Sequence, residues 1–220
     1  MGGPMRDAFH KELESLDQAI VSMGALVERS TQQATTALLE ADKELAQKVR
    51  DGDQEIDQLF LDIEKRSLTL LAQQAPVAGD LRLIVAILRV VNDLERAGDL
   101  AYNIAKLVQI EDFREPGLKN VRALVSELGE AAAQLLGRAI DAWATKDERL
   151  AAEIGRQDDK LDELHARLLE ELVELRGEES LAPALRLAMV GRYFERIGDH
   201  AVNLADRVRY FITGDEDYLG

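Results

Sequence analysis

A chain of 220 residues with 42 acidic and 27 basic side chains carries a formal charge of −15, and it contains no cysteine. Disulfides, thiolate metal sites and cysteine nucleophiles are therefore excluded, and so acidic a surface is set against nucleic acid, whose phosphates need basic groups. The high charged fraction, scarce aromatics and only four prolines lean towards long helices. No signal peptide is visible and the apolar runs fall short of a membrane span, so no membrane insertion is expected and the cytoplasm is the expected compartment.

In chain order, Met1-Gly2-Gly3-Pro4 ahead of Met5 reads as an added leader or a start-site ambiguity and is left out of the fold reading. Leu13, Leu16, Ile20, Met23, Val27 and Ala34 then follow helical three- and four-residue steps. Leu45, Val49, Ile56, Leu59, Phe60 and Ile63 make a second run, and Leu83, Ile87, Val90, Leu94, Ala101 and Ile104 a third. Breaks are expected at Asp51-Gly52, at Ala75-Pro76 and at Glu115-Pro116-Gly117. A fourth run holds Val121, Leu124, Leu128, Leu135 and Ile140, and a fifth Leu150, Ile154, Leu161, Leu164 and Leu168. After Gly177 a last helix carries Val190, Phe194, Ile197, Ala201, Leu204 and Val208. The polar tail from Gly214 to Asp217 is expected to fray.

The two halves repeat one another. Asp42-Lys43-Glu44-Leu45-Ala46 answers Asp147-Glu148-Arg149-Leu150-Ala151, and Leu94-Glu95-Arg96-Ala97-Gly98-Asp99 answers Phe194-Glu195-Arg196-Ile197-Gly198-Asp199. The agreement divides the chain into two three-helix units, residues 6–115 and 118–213.

Each unit carries two acid pairs spaced i, i+4: Asp53/Asp57 with Glu95/Asp99, then Asp158/Asp162 with Glu195/Asp199. That spacing puts both acids of a pair on one helix face, about 6 Å apart along the axis. In an antiparallel hairpin, residues equidistant from the turn face each other. Asp53 and Asp99, like Asp57 and Glu95, are equidistant from Pro76, inside the expected turn. Asp158 and Asp199, like Asp162 and Glu195, are equidistant from the point between Glu178 and Glu179. The second hairpin is shorter, yet its acids keep their register. With helices packed about 8–10 Å apart, four carboxylates in each unit can converge, and such a group raises its own pKa values or takes up a cation. Oxygen donors suit Mg²⁺, Mn²⁺, Ca²⁺ or iron, with Zn²⁺ as a further candidate. Asn103 and Asn203 extend the stripe by one turn and could add carbonyl ligands.

A helical wheel sets these acids on an outer face or groove. The plainer alternative is a solvated acidic face. Gly98 and Gly198, costly inside helices, mark either tight packing or close approach to an ion. Arg96 and Arg196 are expected to make surface ion pairs. His165 reads as a surface residue of its helix. His200 corresponds to Leu100 and stands outside the repeated plan. No phosphate loop, nucleophile elbow or repeated histidine–carboxylate pair is present. A metal-dependent carboxylate-cluster enzyme, a phosphohydrolase or an oxidase, is the competing reading.

The stretches Val91 to Asp99 and Tyr193 to Ala201, with Arg6 to His10 and Gly79 to Ile84, resemble the signatures of the PhoU family of phosphate-uptake regulators. The resemblance covers essentially all of the chain after Met5. It implies an all-α fold of two tandem three-helix bundles related by pseudo-twofold symmetry, and metal clusters on the eight acids named above. It further implies a negative regulator of phosphate uptake and of the phosphate-starvation response. Its expected partners are a phosphate ABC transporter, through the ATPase subunit, and a membrane sensor histidine kinase. A homodimer, recruited to the membrane by those partners, is expected. Ala97 and Leu100, where the second unit has Ile197 and His200, make the two clusters unequal in their surroundings.

Overall fold

A computed structural model of the chain describes residues 4–73, 76, 78–108, 114, 116–175 and 181–219. Six helices run in order: α1 (Pro4–Glu40), α2 (Lys43–Gln73), α3 (Ala78–Leu107), α4 (Lys119–Thr145), α5 (Glu148–Val173) and α6 (Leu181–Thr213). Short 3₁₀ turns span Pro116–Leu118 and Glu216–Tyr218, and there is no strand among the described residues. The protein is all-α, two three-helix units in tandem. Ala75, Glu115, Gly177 and the expected pivot at Glu178 and Glu179 lie outside the described residues.

The repeated Asp-x-x-Leu-Ala segments explain how each unit turns its first corner. Asp42 Oδ1 accepts the backbone N–H groups of Glu44 at 3.0 Å and Leu45 at 2.9 Å. Asp147 Oδ1 does the same for Arg149 at 2.9 Å and Leu150 at 3.1 Å. Both are N-caps that satisfy donors the next helix cannot pair internally. The residue before each cap, Ala41 or Lys146, is left-handed, with φ of 52° and 55°.

The six helices pack as a row of four on a pair. In the row, α3 lies against α6, with α2 outside α3 and α5 outside α6. Beneath it, α1 packs on α2 and α3, α4 packs on α5 and α6, and α1 meets α4. The α1–α4 pair is antiparallel and close, because glycine meets a bulky side chain at two levels. A Cβ on Gly24 would fall 2.6 Å from Ile140 Cγ1, and one on Gly129 would fall 2.4 Å from Thr35 Cγ2. One hydrophobic core runs through both units, from Leu16, Ile20 and Met23 to Phe194, Ile197 and Leu204. Each large apolar side chain buried in it stabilises the fold by about 1.5–3 kcal/mol. Trp143 is fully buried and meets Phe211 edge-on at 5.3 Å, while Lys146 lies over both rings and pairs with Asp17 at 2.5 Å.

Two expectations are corrected. Asp51-Gly52 does not end a helix, because α2 continues through it from Lys43 to Gln73. Buried Val49 and Ile56 on either side hold the segment helical, and Asp51 accepts a hydrogen bond from Gln47 at 2.7 Å. That packing offsets the roughly 1 kcal/mol cost of an interior glycine. The tail is docked rather than frayed. Arg207 Nη1 donates to the Tyr218 carbonyl at 2.7 Å, and Arg209 donates to the Tyr218 hydroxyl at 2.5 Å and stacks over its ring at 3.7 Å.

Asp147→Ala removes one corner's cap and is expected to cost about 1 kcal/mol. In thermal melts that is a fall in Tm of roughly 2–4 °C. An unchanged Tm would show that the cap is dispensable.

Candidate metal centre in each hairpin

The antiparallel hairpins place the eight acids as their register requires. A Cβ on Gly98 of α3 would lie 3.3 Å from Ile56 and 3.7 Å from Asp53 Oδ1, both on α2. On α6, a Cβ on Gly198 would lie 2.4 Å from Leu161 and 2.7 Å from Asp158 Oδ1, both on α5. Each glycine therefore sits where the facing helix presents an acid, and the absence of a side chain leaves that carboxylate its place. Packing and room for the carboxylate are served by the same residue.

Within each set the burial is graded. Asp53, Glu95, Asp158 and Glu195 are half-buried, whereas Asp57, Asp99, Asp162 and Asp199 are exposed. The cluster occupies a groove along the outer side of each hairpin. Burial, and then the charges of Asp57, Asp99 and Glu95, push the Asp53 carboxyl up to about 6. Burial and the charges of Asp162, Asp199, Glu195 and Asp159 do the same to Asp158, again to about 6. Glu95 is raised by burial and by Asp99 and Asp57, against the opposing influence of Arg96 and His200. Asp99 is raised by burial and Asp57. Glu195 is raised by burial and Asp199, with Arg192 and His165 acting against the shift. The four acids of each hairpin thus act on one another as a set.

The donor set fits a hard divalent or trivalent cation. It consists of oxygen, its negative charge is offset only in part by Arg96 and Arg192, and Asp158 Oδ1 is a buried acceptor with no hydrogen-bond partner. The cage is open in this conformation. Among the described residues, no three Asp, Glu or His side chains converge tightly enough to hold one ion. Glu195 is drawn into an ion pair with Arg192 one turn back. Gathering the carboxylates around a cation requires rotation of side chains already on the correct faces.

The flanking residues are sorted by the structure. Arg96 and Arg196 are exposed. Asn103 is half-buried, while Asn203 donates its amide to Asp93 on α3 at 3.2 Å, away from α5. His165 is half-buried against Gly191, whose Cβ would meet its ring at 3.0 Å. His200, outside the repeated plan, is buried and bonded to Asp93 at 2.9 Å. Sequence reasoning missed that pair. The available signal was a histidine inside the apolar stripe of α6, between Ile197 and Leu204.

Comparison with known proteins finds likenesses over nearly the whole chain. The PhoU domain model matches the chain twice, at residues 20–108 and 125–208. A Pseudomonas putida protein named phosphate-specific transport system accessory protein PhoU homolog is 38% identical, over 94% of this chain and 82% of its own. The PhoU homolog 2 of Mycobacterium tuberculosis is 35% identical, over 96% of this chain and 99% of its own. The crystal structure of PhoU from Pseudomonas aeruginosa superposes with a TM-score of 0.87 at 34% identity, covering 94% of this chain and all of that one.

The raised carboxyls carry a sign. Asp53 and Asp158 ordinarily titrate near 3.8 and are held at about 6 in the fold. Between those values the folded state binds more protons than the unfolded one, so the ion-free protein loses stability as pH rises through the window. Both side chains keep some contact with solvent, and screening limits the effect to about 1 kcal/mol for each. Asp53→Asn with Asp158→Asn is expected to flatten this part of the Tm–pH curve and to raise Tm at pH 7 in chelator. A curve that parallels the parent's would remove the repulsion from the account.

Proposed function

Because the chain belongs to the PhoU family, we propose that it is a negative regulator of phosphate uptake and of the phosphate-starvation response. In this role it is an adaptor between the ATPase subunit of a phosphate ABC transporter and a sensor histidine kinase. The observation that carries the reading is likeness over nearly the whole chain to proteins named as accessory components of phosphate-specific transport. The family is one of accessory proteins, and the chain is not an enzyme. Among the described residues no helix is long and apolar enough to cross a membrane. The proposal takes the protein to be cytoplasmic, a homodimer that reaches the membrane through its partners.

The surface supports an adaptor. Leu68 and Leu81 are exposed at the α2–α3 end, and Val173, Leu181 and Leu185 at the α5–α6 end. Because Arg82 near the start of α3 donates to the Phe211 carbonyl near the end of α6, α3 and α6 run antiparallel and the two apolar ends point in opposite directions. Exposed apolar side chains grouped in this way mark protein contacts. Two such ends suit a chain that meets two partners.

Metal belongs to the proposal as the element that sets the hairpins. Asp53, Asp57, Glu95 and Asp99 would hold one cluster, and Asp158, Asp162, Glu195 and Asp199 the other, with iron, Mg²⁺, Mn²⁺ or Zn²⁺ as the cation. The chemistry supplied is neutralisation of four carboxylates. The chain's own part is to present them in register and to fix the spacing of α2 from α3 and of α5 from α6. Rigid, correctly spaced faces are what a partner recognises.

The regulatory reading is tested in cells whose own copy is replaced by the octuple variant that turns each of the eight Asp and Glu residues into Asn or Gln. Phosphate-starvation genes are expected to be expressed in high phosphate, to the level reached in a parallel strain that lacks the protein. Full repression by a folded octuple variant would show that the clusters are irrelevant to regulation. The glycines give a finer check. Gly198→Ala puts a methyl group where Asp158 stands and is expected to weaken ion binding at the second cluster by roughly tenfold. Gly98→Ala, with Asp53 a full ångström further away, should change the first cluster far less. Equal effects in calorimetric titration would contradict the assigned geometry.

A further inference from the structure

The two hairpins meet along α3 and α6, where apolar packing is joined by polar contacts: Arg82 donates to the Phe211 carbonyl at one end, buried Arg207 lies within the electrostatic reach of Asp93, and at mid-seam Asp93 faces His200. His200 of α6 and Asp93 of α3 are 6% and 8% exposed. The imidazole Nδ1 lies 2.9 Å from Asp93 Oδ1, and the same oxygen accepts from Asn203 Nδ2 at 3.2 Å. The other ring nitrogen, Nε2, is buried and has no partner. One directional bond therefore anchors the ring, and Leu94, Ala97, Ile197, Ala201 and Leu204 occupy neighbouring core positions of the two helices.

Repetition of the units does not explain this contact. The position of His200 is held in the first unit by Leu100, and that of Asp93 in the second unit by Tyr193. Among the described residues the bridge has no symmetry mate, because Leu100 and Tyr193 stand at the matching positions.

Helix geometry places the bridge between the clusters. At about 100° per residue, Asp93 points roughly 160° away from Glu95 around α3. Thus α3 shows Glu95 and Asp99 to α2, and Asp93 to α6. On α6, Glu195 and Asp199 belong to the α5 side, and His200, the very next residue, turns to α3. A helix is stiff over a few residues, so displacement of one face is carried to the other. A slippery apolar seam would absorb a small shift by sliding. A buried hydrogen bond resists it, because breaking the bond strands a polar atom.

Resting on the metal reading above, we propose that His200 is a positioning residue that couples the two carboxylate clusters. Closing the first hairpin moves α3, Asp93 carries the shift to His200, and Asp199 beside it is re-aimed in the second. By linkage the effect is reciprocal. A protein with two coupled ion sites answers as one unit, whichever hairpin closes first.

A thermodynamic cycle read by calorimetric titration of the full chain with Mn²⁺ tests this. Glu195→Gln with Asp199→Asn disables the second cluster, and the affinity of the first is measured with and without that change. In the His200 parent, the first cluster's affinity is expected to shift about fivefold or more, the lower range of measured site-to-site coupling. In His200→Leu, which installs the first unit's own residue, the shift should fall within about twofold while the protein still melts cooperatively. His200→Gln, whose amide can reach Asp93, should restore part of the coupling, which apolar filling alone would not do. Equal coupling in the parent and in His200→Leu overturns the proposal, as does no coupling in the parent despite binding at both clusters. A parent that binds no Mn²⁺ overturns it together with the metal reading, and the flat isotherm separates that failure from the other two.

Discussion

The register of each antiparallel hairpin is the constraint on which the rest of the structure depends. Asp158 comes to lie beside Gly198, and Asp53 beside Gly98, only because α5 with α6 and α2 with α3 are held at one vertical offset. The offset is fixed by core side chains about one turn on from the inner acids, Ile56 and Leu161, which pack directly on the same glycines. Folding thus spends apolar burial on a step that, taken alone, is unfavourable: bringing four carboxylates together. Burial and mutual charge push the innermost member of each set to about 6. The fold carries that repulsion at neutral pH, and a bound cation would relieve it.

The duplication matters for the same reason. A single hairpin with two acid pairs is a common outcome of a charged helical surface. Two hairpins of different length that both preserve the pairing, with a glycine opposite the inner acid in each, are difficult to account for by surface solvation. The units are nevertheless not equivalent. Glu195 is paired with Arg192, whereas Glu95 has the partly opposing influence of Arg96 and His200. The second glycine approaches its acid more closely than the first does.

Much of this was legible in the sequence, because helical periodicity, duplication and equidistance from a turn are one-dimensional properties. The six apolar runs became the six helices, and the acids lie on the hairpin faces to which their spacing assigned them. What escaped was decided by contacts between distant segments. Asp51-Gly52 looks like a helix end, but Val49 and Ile56 are buried on either side and the helix continues. The polar tail looks unanchored until Arg207 and Arg209, more than one turn earlier in α6, are seen to hold Tyr218. The close approach of α1 to α4 depends on Gly24 and Gly129 meeting Ile140 and Thr35, pairs that no local pattern links. Asp93 and His200 are separated by 107 positions, and each looks unremarkable within its own helix.

The central claim is that the facing carboxylates are built to hold cations. Metal content, measured by mass spectrometry on untagged protein purified without chelator, tests it most directly when set beside a variant carrying Glu95→Gln, Asp99→Asn, Glu195→Gln and Asp199→Asn. The account predicts stoichiometric metal in the parent and its loss in a variant that keeps the parent's helical content and cooperative melt. No metal in the parent, even after incubation with Mg²⁺, Mn²⁺, iron and Zn²⁺, would contradict it and leave the acids as a solvated or partner-facing surface.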